Sequence, residues 1–310
     1  MARRRRGLPV NGVLLLDKPG GMSSNHALQR ARRLFQAQKA GHTGTLDPMA
    51  TGLLPVCFGE ATKFSAHLLA ADKVYRTRVE LGAVTDTGDA EGEIIERCTV
   101  PALTAADVEG VLERFRGEIE QIPPMYSALK HQGRKLYELA REGKSIERAA
   151  RRVTVYDARL LAFEGHAFEL EVTVSKGTYV RTLAEDIARA LGSGGHISML
   201  RRLATGPFDG DSLGGEGMLS LEALEALPDQ AAREAVLLPV DVLVEHLPRL
   251  EVDAAAAQRL THGQSARLDA AGMAVGETPR LYCDGAFLGL GAVTSPQEVA
   301  PKRLLSTAAD

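Results

Sequence analysis

The segment GHTGTLDPMATG, residues 41–52, constrains this chain more than any other stretch. Pro48 fixes its own φ and pushes Asp47 out of the helical region towards an extended backbone. Gly41, Gly44 and Gly52 allow turns that a residue with a Cβ resists. The apolar run LLPVCF that follows reads as a buried strand. A single carboxylate is thus held by a stiff point inside a shaped loop, and two readings stand: Asp47 caps the turn that follows, or it is presented for chemistry. Glycine-rich loops usually cradle phosphate. Neither the Gly-Lys-Ser/Thr ending of a Walker loop nor a G-x-G-x-x-G occurs here, so no nucleotide cofactor is expected.

Elsewhere the pattern alternates between periods. Residues 11–17 read as a strand ending in the turn KPGGMSS, and Ser23 or Ser24 caps a helix to about Phe35. ATKFSAHLL reads as a short helix, KVYRTRVELG as a strand, TDTGDAEGE as a turn with a further strand to about Arg97, and Thr104 caps a helix to about Phe115. QIPPMYSALKHQGRKLYELAREGK is basic, Tyr-bearing and weakly periodic, which suits a surface insertion over about 123–152. Two long strands follow, then the helix TYVRTLAEDIARAL, with Leu183, Ile187 and Leu191 on one stripe. Strands and helices mix without regular alternation. The expected class is α+β: a mixed, largely antiparallel sheet flanked by helices. After Pro248 a helix and glycine-punctuated strands make a small β-rich unit, which places a domain boundary near residue 246.

At 310 residues the chain is long enough for about two domains. Its three cysteines are far apart, lack zinc-site spacing and read as reduced thiols of a cytoplasmic protein. Behind Arg3–Arg6 the only apolar run is Val13–Leu16, too short for a secretory segment, and no stretch approaches a membrane span. Net charge is -3, but it is unevenly placed: residues 1–60 carry nine Lys/Arg against three acids, and residues 211–245 carry eight acids against one Arg. Such asymmetry fits either a face that steers a polyanion or two ordinary solvated faces.

Arg181 falls in the first turn of its helix, where the dipole disfavours a cation unless an anion stands close. A carboxylate partner would resolve that and would hold its own pKa low, and Asp47 is a candidate; a solvated guanidinium is the alternative.

The blocks NGVLLLDKPGGMSS, AGHTGTLDPMATGLLPVCFGEATK, DKVYR, QIPPMYSALK, SKGTYVRTLAEDI and HISMLRRL occur in the order and spacing of the TruB family of tRNA pseudouridine synthases. The chain resembles that family densely from residue 11 to about 206, and its tail resembles the PUA-like module of these enzymes. The resemblance implies a catalytic domain over 1–245 with the pseudouridine synthase fold, an RNA-gripping thumb at about 123–152 and a PUA-like RNA-binding domain over 246–310. It further implies isomerisation of uridine 55 in the tRNA T loop, without cofactor, metal or membrane, by a monomer.

By the same resemblance Asp47 is the essential carboxylate, Arg181 its partner, and Tyr75 the aromatic ring against the target base. Tyr179 and Leu200 line the pocket, and His42 fills the gap left by the everted uridine. Lys18 and Pro19 brace the catalytic loop, and Lys18, Lys130, Arg134, Arg151 and Arg152 supply cations for the RNA. Two rival functions use the same residues differently: an RNA-binding or chaperone protein needs the cations but has no use for Asp47 opposite Arg181, and a nucleosidase would release free uracil.

Overall fold

The computed structural model describes residues 7–210, 217–270 and 272–306. Arg3–Arg6 and residues 211–216, part of the acidic stretch, lie outside the described residues. The elements run β1 (Gly12–Lys18), α1 (Ser24–Leu34), β2 (Ala40–His42), β3 (Thr51–Phe58), α2 (Ser65–Leu69), β4 (Lys73–Leu81), β5 (Ala83–Thr85), β6 (Ile94–Arg97) and α3 (Ala105–Phe115). They continue through β7 (Gly117–Gln121), β8 (Lys130–His131), β9 (Arg134–Lys135), α4 (Leu136–Arg141), β10 (Arg151–Phe163), β11 (Ala167–Val174), α5 (Val180–Ala190), β12 (Gly195–Thr205), β13 (Phe208–Asp209) and α6 (Leu221–Ala226).

One large sheet organises the molecule, in the order β1-β3-β12-β4-β11-β10-β7, with β2 added to β3 and β13 to β12. Its pairs are antiparallel except β12 with β3, where Arg201 and Arg202 lie parallel to Thr51 and Gly52. The architecture is therefore the α+β class expected from the sequence. A second, five-stranded sheet is built from strands between Arg249 and Leu304.

The runs in β1 and β3 are continuously apolar because both faces of the sheet are covered. Leu14 and Leu16 of β1, with Leu54, Val56 and Phe58 of β3, join the core under α1, α3 and α5. The alternate residues Val13, Leu15, Leu53 and Cys57 face a second core that includes Phe64, Leu68 and Leu290, with Phe287 and Leu305 packed against it. That second core welds the small sheet to the large one, and a Phe64–Phe287 ring contact at 5.5 Å lies within it.

Helix starts follow local chemistry. Ser23 accepts from the His26 amide at the start of α1, and Thr104 and Asp107 form a reciprocal capping box on α3, each cap contributing about 1 kcal/mol. Among the described residues no helix is long and apolar enough to cross a membrane.

In three places the structure adds to what the sequence leads one to expect. Residues 195–205 received no element from sequence, yet β12 is a central strand, pairing with both β3 and β4. Its alternation is broken by two register shifts, and it carries Arg202, only 1% exposed, a residue that hydropathy assigns to the surface. Arg151 and Arg152 open β10, the long strand expected for RRVTVYDARLLAFE, paired with Gln121 and Glu120 of β7, so the insertion placed at about 123–152 ends just before them. Among the described residues, the acidic segment packs directly on the basic one. α6 packs on α1 with Arg30 2.5 Å from Glu225, and residues Leu219 and Leu238 bridge to β1, because opposite charges and a shared core draw the two segments together.

Gly52 has φ +97°, and a Cβ there would stand 2.2 Å from the Arg202 carbonyl oxygen. Gly52→Ala is expected to cost roughly 1–3 kcal/mol from backbone conformation alone, with the clash adding to it, and to lower the urea midpoint correspondingly.

Candidate active site

Four groups pin the loop between β2 and β3. Ser24 Oγ bonds both to the Leu46 amide, 2.8 Å, and to the Leu46 carbonyl, 2.9 Å. Lys18 Nζ donates to the carbonyls of Pro19, Met22 and Pro48 at 2.7, 2.6 and 3.2 Å. Arg202 donates to the carbonyls of Gly44, 3.1 Å, and Leu53, 2.7 Å. Gly44, at φ +81°, leaves the room that Arg202 occupies, since a Cβ there would meet the guanidinium at 3.2 Å. Gly41 lies in strand β2 and is not among the glycines with positive φ, so of the three loop glycines only Gly44 and Gly52 use their conformational freedom.

The fourth anchor is Arg181, whose side chain is 5% exposed. Its Nε lies 2.9 Å from Asp47 Oδ2, Nη1 donates to the Thr87 carbonyl at 2.5 Å, and Nη2 donates to the Tyr126 carbonyl at 2.8 Å. Asp89 stands behind, 3.7 Å from Nη1, and is itself held by the Thr87 hydroxyl and the Glu91 amide. The Asp47 side chain thus reaches across to α5, while its own carbonyl accepts from Ala50 in the following turn.

Asp47 and Arg181 open on a pocket of about 250 Å³. Tyr75, Tyr179 and Leu200 line it too, with Lys73, Ser127 and Arg202. Tyr75 and Lys73 are i, i+2 neighbours on β4, and Leu200 and Arg202 on β12, so the strand period puts each pair on one face. Tyr75 is 9% and Leu200 6% exposed. The Tyr179 amide and carbonyl are clamped by Gln121 at 2.7 and 3.0 Å, and the Arg151 guanidinium sits 4.9 Å from the Tyr179 ring centre.

The electrostatics differ from expectation in one respect. The Asp47 side chain keeps 34% of its surface open yet is otherwise sunk in protein. Burial pushes its carboxyl above the ordinary 3.8, Arg181 opposes that, and Asp89 adds to it. The partner therefore tempers a raised pKa where a lowered one was expected. Lys18 is pushed down to about 8 by burial, with Asp47 opposing. Lys73 is also pushed down to about 8, by burial and then by Arg202.

The remaining site residues separate. Lys18 is fully buried and spends its ammonium on three carbonyls, so it braces the loop and is withdrawn from the RNA-contacting cations. His42 lies on β2, outside the pocket lining, with its Nδ1 buried and unpartnered, and burial lowers its pKa. Lys130, Arg134 and Arg152 are exposed; Arg134 pairs with Glu142, and Arg152 lies 3.2 Å from Glu118. Sequence reasoning missed Asp89, Lys73 and Ser127. Asp89 was hidden in a segment read only as a turn, although its Asp/Thr/Gly density was a signal of tight side chain to backbone bonding.

Three family profiles match the chain: "TruB family pseudouridylate synthase (N terminal domain)" over residues 32–180, "tRNA pseudouridylate synthase B C-terminal domain" over 181–245, and "Pseudouridine synthase II TruB, C-terminal" over 248–305. The chain is 68% identical over 308 residues to the tRNA pseudouridine synthase B of Chromohalobacter salexigens, covering 99% of this chain and 98% of that one. It is 54% identical to the protein of that name from an Azoarcus species, covering 96% of each. Among solved structures, an archaeal Nop10–Cbf5 complex of the box H/ACA particle matches with TM-score 0.69 at 24% identity, covering 98% of this chain and 92% of that one, a likeness of fold. A Cbf5–Nop10–Gar1 complex matches with TM-score 0.70 at 26% identity, covering 99% and 90%. With matches running the length of the chain, and the Asp47–Arg181 pocket set among the residues they span, the protein belongs to the TruB family of pseudouridylate synthases.

Proposed function

We propose that this protein isomerises uridine 55 in the T loop of tRNA to pseudouridine, acting as a cytoplasmic monomer with Asp47 as its essential group. The observation that carries this reading is the Asp47 carboxylate held 2.9 Å from a buried guanidinium at the floor of a nucleoside-sized pocket. The names of the full-length relatives support tRNA as the substrate.

In the reaction the bond from uracil N1 to ribose C1′ breaks, the base turns over in place, and C5 bonds to C1′. C5 loses its proton and N1 gains one, so nothing enters or leaves. The uridine reaches the pocket by eversion from the loop, at a cost of a few kcal/mol. Asp47 acts by addition to the sugar, by addition to the base or by starting an elimination; each route uses its ionised form. Arg181 keeps that ionised form accessible despite burial. Tyr75 offers a stacking face contributing roughly 1–3 kcal/mol and a phenol near C5 for its proton. Leu200 supplies an apolar wall, Tyr179 a further contact, and His42 the filling of the vacated loop. Lys130 and Arg134 from the thumb that follows β7, and Arg151 and Arg152 from the start of β10, position the RNA backbone. The domain division we adopt is a catalytic domain over 1–245 and a PUA-like RNA-binding domain over 246–310.

Asp47→Asn is expected to abolish pseudouridine formation on a T-arm transcript while tRNA affinity stays within about twofold, since phosphate contacts dominate binding. Equal loss of both would remove Asp47 from catalysis and favour an RNA-binding protein; free uracil in the same tube would identify a nucleosidase. The raised carboxyl also sets the pH profile. kcat/KM should climb with pH along an acidic limb lying above 3.8, and a limb at or below 3.8 would contradict the burial argument. For stability the sign is opposite. The folded state holds the Asp47 proton more tightly than the unfolded chain, so this group lowers stability as pH rises from 3.8 through its folded value.

A further inference from the structure

The insertion between β7 and β10 enters the pocket through Ser127 and Ala128. Ser127 is 4% exposed, and its Oγ is buried without a partner in the protein. Its backbone is fully used: the amide donates to the Met125 carbonyl at 2.9 Å, and the carbonyl accepts from Tyr137 at 3.1 Å. The preceding carbonyl, that of Tyr126, accepts from Arg181 Nη2 at 2.8 Å, so the Ser127 backbone is tied to the guanidinium that also holds Asp47. The Tyr126 hydroxyl donates to Asp86 at 2.9 Å, which anchors the same turn from its other side. A buried hydroxyl without a protein partner costs stability. Ser127 lines the pocket while its Oγ is closed off from solvent, so a rotation about χ1 brings the hydroxyl within reach of a ligand and gives it the partner it lacks in the protein.

We propose that the Ser127 hydroxyl hydrogen bonds to the everted uridine, through the ribose 2′-hydroxyl or the uracil 4-carbonyl. This assignment rests on the function proposed above. The contact makes the insertion part of the reaction site as well as a handle for the RNA backbone. It also couples the two: a turn that grips RNA on its outer side carries, on its inner side, a group that completes the pocket around the reacting nucleotide.

Ser127→Ala removes only the hydroxyl and keeps both backbone bonds. Loss of one neutral hydrogen bond to substrate should lower kcat/KM on a T-arm transcript by about 3- to 10-fold. The free variant should melt at the same temperature as the wild type or higher, because the unpartnered hydroxyl is gone. Two substrate arms locate the partner. With 4-thiouridine at the target, the Ser127→Ala penalty in kcat/KM should shrink towards onefold if the partner is the 4-carbonyl. With 2′-deoxyuridine, the penalty in dissociation constant should vanish relative to the ribonucleotide transcript if the partner is the 2′-hydroxyl. A shrinking penalty in either arm supports the assignment. An unchanged kcat/KM, the same penalty in both arms, or a lowered melting temperature overturns it. Wild-type protein that forms no pseudouridine at all would instead remove the proposed function, a failure distinct from any result with the variant.

Discussion

The site depends on satisfying one buried guanidinium. Arg181 sits in the first turn of α5, with the helix dipole against it and almost no access to water. Such a group is tolerated only with its donors engaged, and its partners come from three separate parts of the chain: Asp47 from the loop before β3, Thr87 and Asp89 from the turn after β5, and Tyr126 from the insertion. One side chain therefore fixes the relative positions of the Asp47 loop, a carboxylate-bearing turn and the base of the insertion between β7 and β10. Displacing any of the three would leave charge or carbonyl groups unpaired in a low-dielectric interior, which is why the arrangement holds together as a unit.

The loop carrying Asp47 shows the same economy. Lys18, Ser24 and Arg202 spend their polar atoms on its backbone, and the glycines at 44 and 52 are the points where Arg202 and its strand press closest. Two of these three anchors are buried cations, so the loop is held by charge-assisted bonds to carbonyls that a surface loop would give to water. Of these anchors Lys18 also acts on the carboxyl, joining Arg181 in opposing the burial that drives the Asp47 carboxyl upwards. Lys18 and Arg181 thus contribute both to the rigidity of the loop and to the ionisation of its carboxyl.

Much of the architecture was legible from the order of residues because it is set by local periodicity. β4 and β11 alternate and form where expected, and α1, α3 and α5 follow apolar spacing with a readable cap on the first two. The constraint on Asp47 was legible from Pro48 and its glycines, and the need of Arg181 for an anion from its place in a first helical turn. β12 was not legible, since its register shifts break alternation and its buried arginine mimics a surface residue. Nor were the contributions of Asp89, Lys73 and Ser127, whose neighbours in space are distant in sequence. The acidic stretch near residue 225 is a further case: its sign was plain, but its placement against α1 was not.

By itself the sequence determined the mixed class of the fold, the elements that follow period and cap, and, through blocks spaced along most of its length, the family to which it belongs. These features survive in one dimension because they rest on each residue's own conformational limits and on neighbours a few positions away. Only the tertiary structure decided which charged groups are buried, which of them face one another, and in which direction their pKa values move. Those properties depend on the dielectric surroundings and on partners brought from elsewhere in the chain. The raised carboxyl of Asp47, the withdrawal of Lys18 from the surface and the unpartnered hydroxyl of Ser127 all belong to that second group.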